Sequence, residues 1–321
     1  MNSLCRAALA AIAVFVVSTA SAETWPTKPI RAIIPFGAGS ATDIIPRAVF
    51  DAIAAELKTT IVVENRGGAG TSIGVGAVAR AEPDGYTILA NSSAHAIAPF
   101  IVPNLPYDTA KDLSGVVMIG QNGNVMLVRK ETGWKTVKDF IAAAKAKPGT
   151  INFGSAGVGT ATHIGAERFR LAAGFEATHV PYKGGAEALS DLLGGRIDFY
   201  FCPITTALPY IRDGRLVPLL VSTPTRAGDL PDVPTPKDAG FAGAETPVWY
   251  AVFMPSKTPR AIVEKFHAAA TKVLATPAAK ERLKQLAVDP LPMKPAEIDK
   301  FILSELAKNE KTLKAAGIKP Q

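Results

Sequence analysis

Short apolar runs rich in β-branched residues alternate along this chain with longer stretches whose apolar positions recur at helical spacing. That alternation predicts an α/β architecture. Ile30-Arg31-Ala32-Ile33-Ile34 reads as a first strand. It runs into Pro35-Phe36-Gly37-Ala38-Gly39-Ser40-Ala41, after which Thr42 or Asp43 can cap a helix. Ile61 to Glu64 reads as a second strand, followed by a glycine-rich turn and a helix over 73–81. Tyr86 to Ala90 follows as a third strand, behind the turn Pro83-Asp84-Gly85. The pattern then repeats. Strands are predicted at 125–129, 151–153, 197–201 and 216–222, with helices at 137–147, 161–173 and 186–193. Thr136 and Asp139 are spaced as a capping box, and Gly194-Gly195 stops the helix before it. Near the C-terminus, Thr258-Pro259, Thr276-Pro277 and Pro295 open three helices. Their apolar stripes, such as Ile262, Phe266, Ala269 and Val273, are core.

The first residues fall outside that pattern. One positive charge over 1–6, at Arg6, an apolar run over 7–17 and the small residues Ala20-Ser21-Ala22 have the order of a secretory signal peptide. The run is about half of the ~20 residues a membrane span needs. We therefore expect export to the periplasm, cleavage after Ala22 and a mature chain from Glu23. At the usual domain size, that chain holds two domains. The expected division is lobe 1 over 23–123 plus 248–321 and lobe 2 over 124–247. Residues 222–246, rich in Pro, Gly and charge, read as a surface connection between them. Apolar residues make up 48% of the sequence, enough for two cores. The net charge of +7 is spread along the chain, which suits small anions and gives no nucleic-acid footprint. Cys202 is the sole cysteine past Cys5, so no internal disulfide forms, and no Cys/His spacing suggests a metal site. No cofactor is expected.

Two glycine-rich strand-to-helix turns, 37–43 and 154–160, are the candidate chemistry. A helix N-terminus offers unpaired N–H groups and partial positive charge to an anion. Glycine lets a ligand approach the backbone, and Ser40, Thr42, Ser155 and Thr160 add hydroxyls. On residue type alone, the plainer reading of each as a tight turn stands ahead. A third loop, Arg66 to Gly74, carries Gly68-x-Gly70, but its third glycine is one residue too far for a dinucleotide fingerprint. Gly70-Thr71-Ser72-Ile73-Gly74 matches a nucleophile elbow, yet Ser72 is displaced from the strand end where that serine must stand. Cys202 reads as a buried thiol that could touch a ligand, His163 as a structural hydrogen-bonding residue, and Asp43 as a cap.

Longer runs carry a resemblance. They are Pro35-Phe36-x-x-Gly39-x-x-Thr42-Asp43-x-x-x-Arg47, Val63-Glu64-Asn65-Arg66-x-Gly68-Ala69-Gly70 and Pro83-Asp84-Gly85-Tyr86-Thr87. Further along come Leu105-Pro106-Tyr107-Asp108, Phe153-Gly154-Ser155-x-Gly157-x-Gly159-Thr160-x-x-His163 and His179-Val180-Pro181-Tyr182-Lys183-Gly184. Asp191 to Asp198, Leu230 to Thr235 and Trp249 extend the match over nearly the whole chain. Together they resemble the Bug family, the TctC-like receptors of tripartite tricarboxylate transporters. The resemblance implies a two-lobed periplasmic binding protein type II (Venus-flytrap) fold, each lobe a mixed sheet flanked by helices. It implies a monomeric receptor, not an enzyme, that closes on a small carboxylate and delivers it to membrane permease subunits. The implied ligand-binding positions are Phe36, Gly37, Ala38, Gly39, Ser40 and Asp43 in the first lobe, with Ser92 and Ser93. In the second lobe they are Ser155, Ala156, Gly157, Gly159, Thr160 and His163, with Pro181, Tyr182 and Cys202.

The chain also departs from the family. Ala38-Gly39-Ser40 replaces a usual Pro-Gly-Gly, and Asn65 to Thr71 lacks the usual Pro and last Gly. Cys202 replaces a frequent Asp, which argues against an amino-acid ligand. The competing readings are a signalling receptor without transport and a secreted hydrolase using Ser72 or Cys202.

Overall fold

The computed structural model describes residues 25–182 and 184–320. The expected signal sequence lies outside the described residues. β1 (Ile30–Ile34) leads to α1 (Ala41–Leu57), β2 (Ile61–Asn65) to α2 (Ser72–Ala79), and β3 (Thr87–Ser92) to a short 3₁₀ turn and α3 (Ala98–Ile101). β4 (Leu113–Asn122) and β5 (Asn124–Arg129) follow, separated only by Gly123. Then come α4 (Val137–Ala146), β6 (Asn152–Ser155), α5 (Ala161–Ala173), β7 (Thr178–Pro181), α6 (Gly185–Leu193), β8 (Phe199–Pro203), α7 (Ile204–Arg212) and β9 (Leu216–Val221). The chain ends with β10 (Val248–Pro255), α8 (Arg260–Leu274), α9 (Pro277–Gln285) and α10 (Pro295–Ala315).

The strands form two five-stranded mixed sheets, as expected, in the orders β2-β1-β3-β10-β4 and β7-β6-β8-β5-β9. In each, three parallel strands adjoin an antiparallel pair. The chain passes between sheets at Gly123 and again over 222–247, and Asn122 pairs with Val248 where the passages meet. Helices cover both faces of each sheet. In the first, Ile30, Ala32 and Ile34 face α1, α8 and α9, while Ile33 and Leu89 face α2 and α10. In the second, Phe140 lies edge-on to Trp134, Phe175 and Phe199 at 5.1–5.3 Å. Each such buried ring contributes about 1.5–3 kcal/mol through burial alone.

Several elements were not visible in the sequence pattern: β4, β7, β10 and α7. β4 and β10 are buried on both faces, so they run apolar without alternating and lack the half-buried signal. β7 is a four-residue edge strand ending in proline. α7 holds Pro209 inside its single apolar stripe. The cap of α1 is also a correction. Ser40 is the N-cap and Asp43 stands at the third helical position, so neither Thr42 nor Asp43 caps the helix.

Candidate functional site

Parallel strands β1, β2 and β3 deliver their carboxyl ends, and the helix starts that follow, to one edge of their sheet; β6, β7 and β8 do the same in the other. Such edges are where open α/β sheets bind ligands. In the first lobe the turn after β1 is held by a polar triad. The two Asp43 carboxylate oxygens accept from Gly39 N–H at 2.9 Å, Arg47 Nε at 2.7 Å and Asn65 Nδ2 at 2.9 Å. Asn65 Nδ2 also donates to Phe36 O at 3.0 Å. Gly39 takes φ +82°, a left-handed turn that glycine allows without strain. Burial alone would raise the Asp43 carboxyl, but the hydrogen bonds from Asn65, Gly39 and Arg47 outweigh it and hold it below its ordinary value. Asp43 is thus an ionised anchor already engaged on both oxygens. The N–H groups of Gly37, Ala38, Ala41 and Thr42 have no protein acceptor among the described residues. Ser40 Oγ, buried at the cap, has no partner there either.

In the second lobe the turn after β6 is knitted more tightly. Ala156 N–H donates to Thr162 Oγ1 at 2.9 Å, Gly157 N–H to Ser155 Oγ at 3.1 Å and Gly159 N–H to His163 Nδ1 at 3.0 Å. Thr160 caps α5, accepting from His163 N–H, and donates its hydroxyl to Gly157 O at 2.7 Å. The amides of Gly157 and Gly159 are therefore spoken for inside the loop. Those of Val158, Ala161 and Thr162 have no protein acceptor among the described residues. Helix positions N1 and N2 are free in nearly every helix, and that rule would have located Ala41, Thr42, Ala161 and Thr162 from sequence.

Beneath this loop lies a stack that the sequence reading did not assign. The rings of His163 and His179 lie 3.8 Å apart at 11°, and Phe153 stacks on His179 at 4.9 Å. Ser155 Oγ and His179 Nε2 are hydrogen-bonded at 2.6 Å. Because His163 Nδ1 accepts from Gly159, its proton sits on Nε2, which faces Glu167 Oε1 at 3.9 Å. Burial, with His179 adding to it, pushes His163 down to about 3; burial pushes His179 down to about 4. Both rings are neutral supports for the loop.

The remaining expected residues are placed as follows. Ser92 and Ser93 end β3 and begin the 3₁₀ turn, with no protein hydrogen bond to either hydroxyl among the described residues. Phe36 is half-buried, and Pro181 is exposed on β7. Tyr182 donates its hydroxyl to Asp191 Oδ2 at 2.8 Å, so that hydroxyl is committed away from a ligand. Cys202 does not stand on a wall. Its side chain is wholly buried among Val125, Leu127, Ala188 and Tyr200, and burial pushes its thiol up to about 12. An alkylating reagent at pH 8 should leave Cys202 untouched in the folded protein and modify it fully in urea. Mass spectrometry reads the difference, and rapid native labelling would contradict this burial. Ser72 lies in the first turn of α2, with no histidine or carboxylate bonded to it among the described residues.

The two turns are connected through close neighbours. A Cβ at Gly67 would stand 3.7 Å from Gly37 N, one at Gly70 would run into Val102, and one at Gly159 would run into Ile101. Ile101 of the first lobe thus touches the second-lobe turn. A separate groove of 1260 Å³ opens elsewhere, between α8, α9 and β4 of one lobe and Ile204, Thr223 and 227–229 of the other. None of the expected site residues lines it.

Two helix-flanked mixed sheets joined by two chain passages have the architecture of a two-lobed periplasmic binding protein. Residues 45–318 match the tripartite tricarboxylate transporter family receptor, and the chain belongs to that family. The family is one of solute-binding receptors, not enzymes. The chain is similar to an R. palustris protein solved with adipate, at 30% identity and TM-score 0.80, covering 92% of this chain and 100% of that one. It is similar to the periplasmic binding protein BugD at 30% identity and TM-score 0.76, over 92% and 100% of the two chains. MatC from Rhodopseudomonas palustris with bound malate is 28% identical at TM-score 0.75, over 90% and 100%. No helix among the described residues is long and apolar enough to cross a membrane.

Proposed function

We propose that this chain is an exported periplasmic receptor that captures a small carboxylate by closing its lobes and hands it to a membrane permease. In this reading 23–123 plus 248–321 form lobe 1, 124–247 form lobe 2, and the export signal ends at Ala22. The carrying observation is the set of N–H groups at the starts of α1 and α5 that have no acceptor among the described residues, with the unpartnered Ser40 Oγ at the α1 cap. A carboxylate satisfies such donors through charge-assisted bonds. The similar proteins with adipate and malate support that ligand class. An amino acid would need an acidic partner for its ammonium, and Asp43 is saturated while Cys202 is neutral and buried. Closure shifts only as far as the ligand prefers the closed form.

The test removes single donors. Proline is tolerated at the first helical position, and the residues before Ala41 and Ala161 already have the extended backbone that proline demands (ψ 158° and 160°). Ala161→Pro and Ala41→Pro should therefore melt as the parent does. Each should lose a charge-assisted bond of about 1.5–3 kcal/mol, or roughly 10–150-fold in affinity for adipate or malate by calorimetry. Parent-like affinity in both variants would remove the helix starts from the site.

A further inference from the structure

β4 is an edge strand, paired with β10 on one side only. Its other edge is covered at two points. His267 Nδ1, on α8, donates to Val116 O at 2.8 Å, and Gln121 exchanges backbone bonds with Asp289 at 2.9 and 2.7 Å. Covering an edge in this way blocks pairing with a strand of another chain. Between the two covers, Val117, Met118 and Ile119 open into the 1260 Å³ groove. That volume exceeds the ~300–1,000 Å³ of most small-molecule pockets. Buried apolar side chains floor it: Val117 and Ile119 from β4, Leu283 from α9, Val288, and Ile204 from the second lobe.

The charges on its rim are unevenly paired. Lys280 and Lys284 stand one turn apart on α9, both exposed, and neither ammonium has an acceptor or acid partner among the described residues. Like charges at that spacing repel. Of the acids on the rim, Glu297 is engaged by the backbone N–H of Lys294 at 2.8 Å. Asp289 is raised by burial and then by Asp229 of the second lobe, with no cation offsetting either. The two aspartates therefore stand clear of the α9 lysines and leave them uncompensated. A small hydrophilic anion would gain little from two exposed lysines. The groove adds an apolar floor beside them, to which Leu283, between the two lysines in sequence, belongs.

We propose that this groove is a second ligand site, for an amphipathic monoanion whose hydrocarbon body lies on the β4–α9 floor and whose carboxylate meets Lys280 and Lys284. Lysine suits that task, because its stem lies along apolar surface while its ammonium stays at the water's edge. None of the expected carboxylate-site residues lines the groove, so the site is separate from the turns at 37–43 and 154–160 and stands whether or not the receptor reading does.

Decanoate is the probe, with decyltrimethylammonium as a counterpart of equal chain length and opposite charge. Calorimetry should find one decanoate per chain, bound at least tenfold more tightly than the cation. Lys280→Ala/Lys284→Ala should weaken decanoate at least tenfold, and Lys280→Arg/Lys284→Arg should hold it within about threefold of the parent. Thr271→Trp places a large ring in the groove from an exposed position on α8, and should abolish decanoate binding while melting as the parent does. Adipate should not displace decanoate. Absence of saturable decanoate binding, a preference for the cation, parent-like affinity in the alanine pair or in Thr271→Trp, or displacement by adipate would each overturn the site. If Thr271→Trp fails to fold by circular dichroism, the alanine and arginine pairs decide. If adipate and malate bind nowhere, the receptor's ligand class fails while decanoate still judges the groove.

Discussion

Gly159→Ala should destabilise the protein by about 2–5 kcal/mol and remove its response to carboxylates. Two costs meet at this position. Gly159 takes φ +74°, and an L-residue in that region costs about 1–2 kcal/mol. The added methyl also enters the space of Ile101 across the lobes, an overpacking of about 1–3 kcal/mol. The strain falls on the turn whose amide bonds His163 Nδ1, so the donors at Ala161 and Thr162 shift with it. The double variant Gly159→Ala/Ile101→Ala separates the costs, since only the clash depends on Ile101. It should recover at least 1 kcal/mol relative to the sum of the single variants, a coupling typical of residues in contact. Urea midpoints with an unchanged m-value measure this. A purely additive cycle would mean that the lobes do not touch here in solution.

The residues that made the fold legible and those that hid it differ in a physical way. Strands such as Ile30–Ile34, a short β-branched run bounded by Pro29 and Pro35, announce themselves by composition even though both faces are covered. β4, broken by Gly115 and Gly120, does not, and with β10 it joins the lobes. At the site, the turns at 37–43 and 154–160 were visible from glycine and hydroxyl content. Which amides stay open was not, because that depends on partners far away in sequence. Asn65 lies 22 residues from Asp43, and His179 lies 24 from Ser155. Cys202 is the buried thiol that its place at the end of an apolar strand led us to expect, on the same strand face as Tyr200.

Those same distant partners set the response to acid. Burial pushes His95 down to about 3, burial and then His179 push His163 to about 3, and burial pushes His179 to about 4, all from an ordinary 6.5. Above pH 6.5 the three rings are neutral in both the folded and unfolded chain, and they cost nothing. As pH falls below 6.5 the unfolded chain takes up protons that the folded one refuses, so stability drops until the folded values near 3–4 are reached. Each ring contributes a slope of about 1.4 kcal/mol per pH unit, or roughly 4 for three together. Glu167 and Asp299, raised by burial, regain stability on protonation and flatten the lower end of that window. Urea midpoints should therefore fall steeply between pH 6 and 4.5, well above the range where ordinary carboxylates titrate. His163→Asn keeps an acceptor for Gly159 N–H and His179→Gln keeps a partner for Ser155, yet neither side chain titrates. Each should remove about a third of the slope while leaving stability at pH 8 within about 1–2 kcal/mol of the parent. Identical slopes in parent and variants would show that these rings accept protons as readily folded as unfolded. The turn would then rest on something other than a neutral His163, because a protonated Nδ1 cannot accept from Gly159.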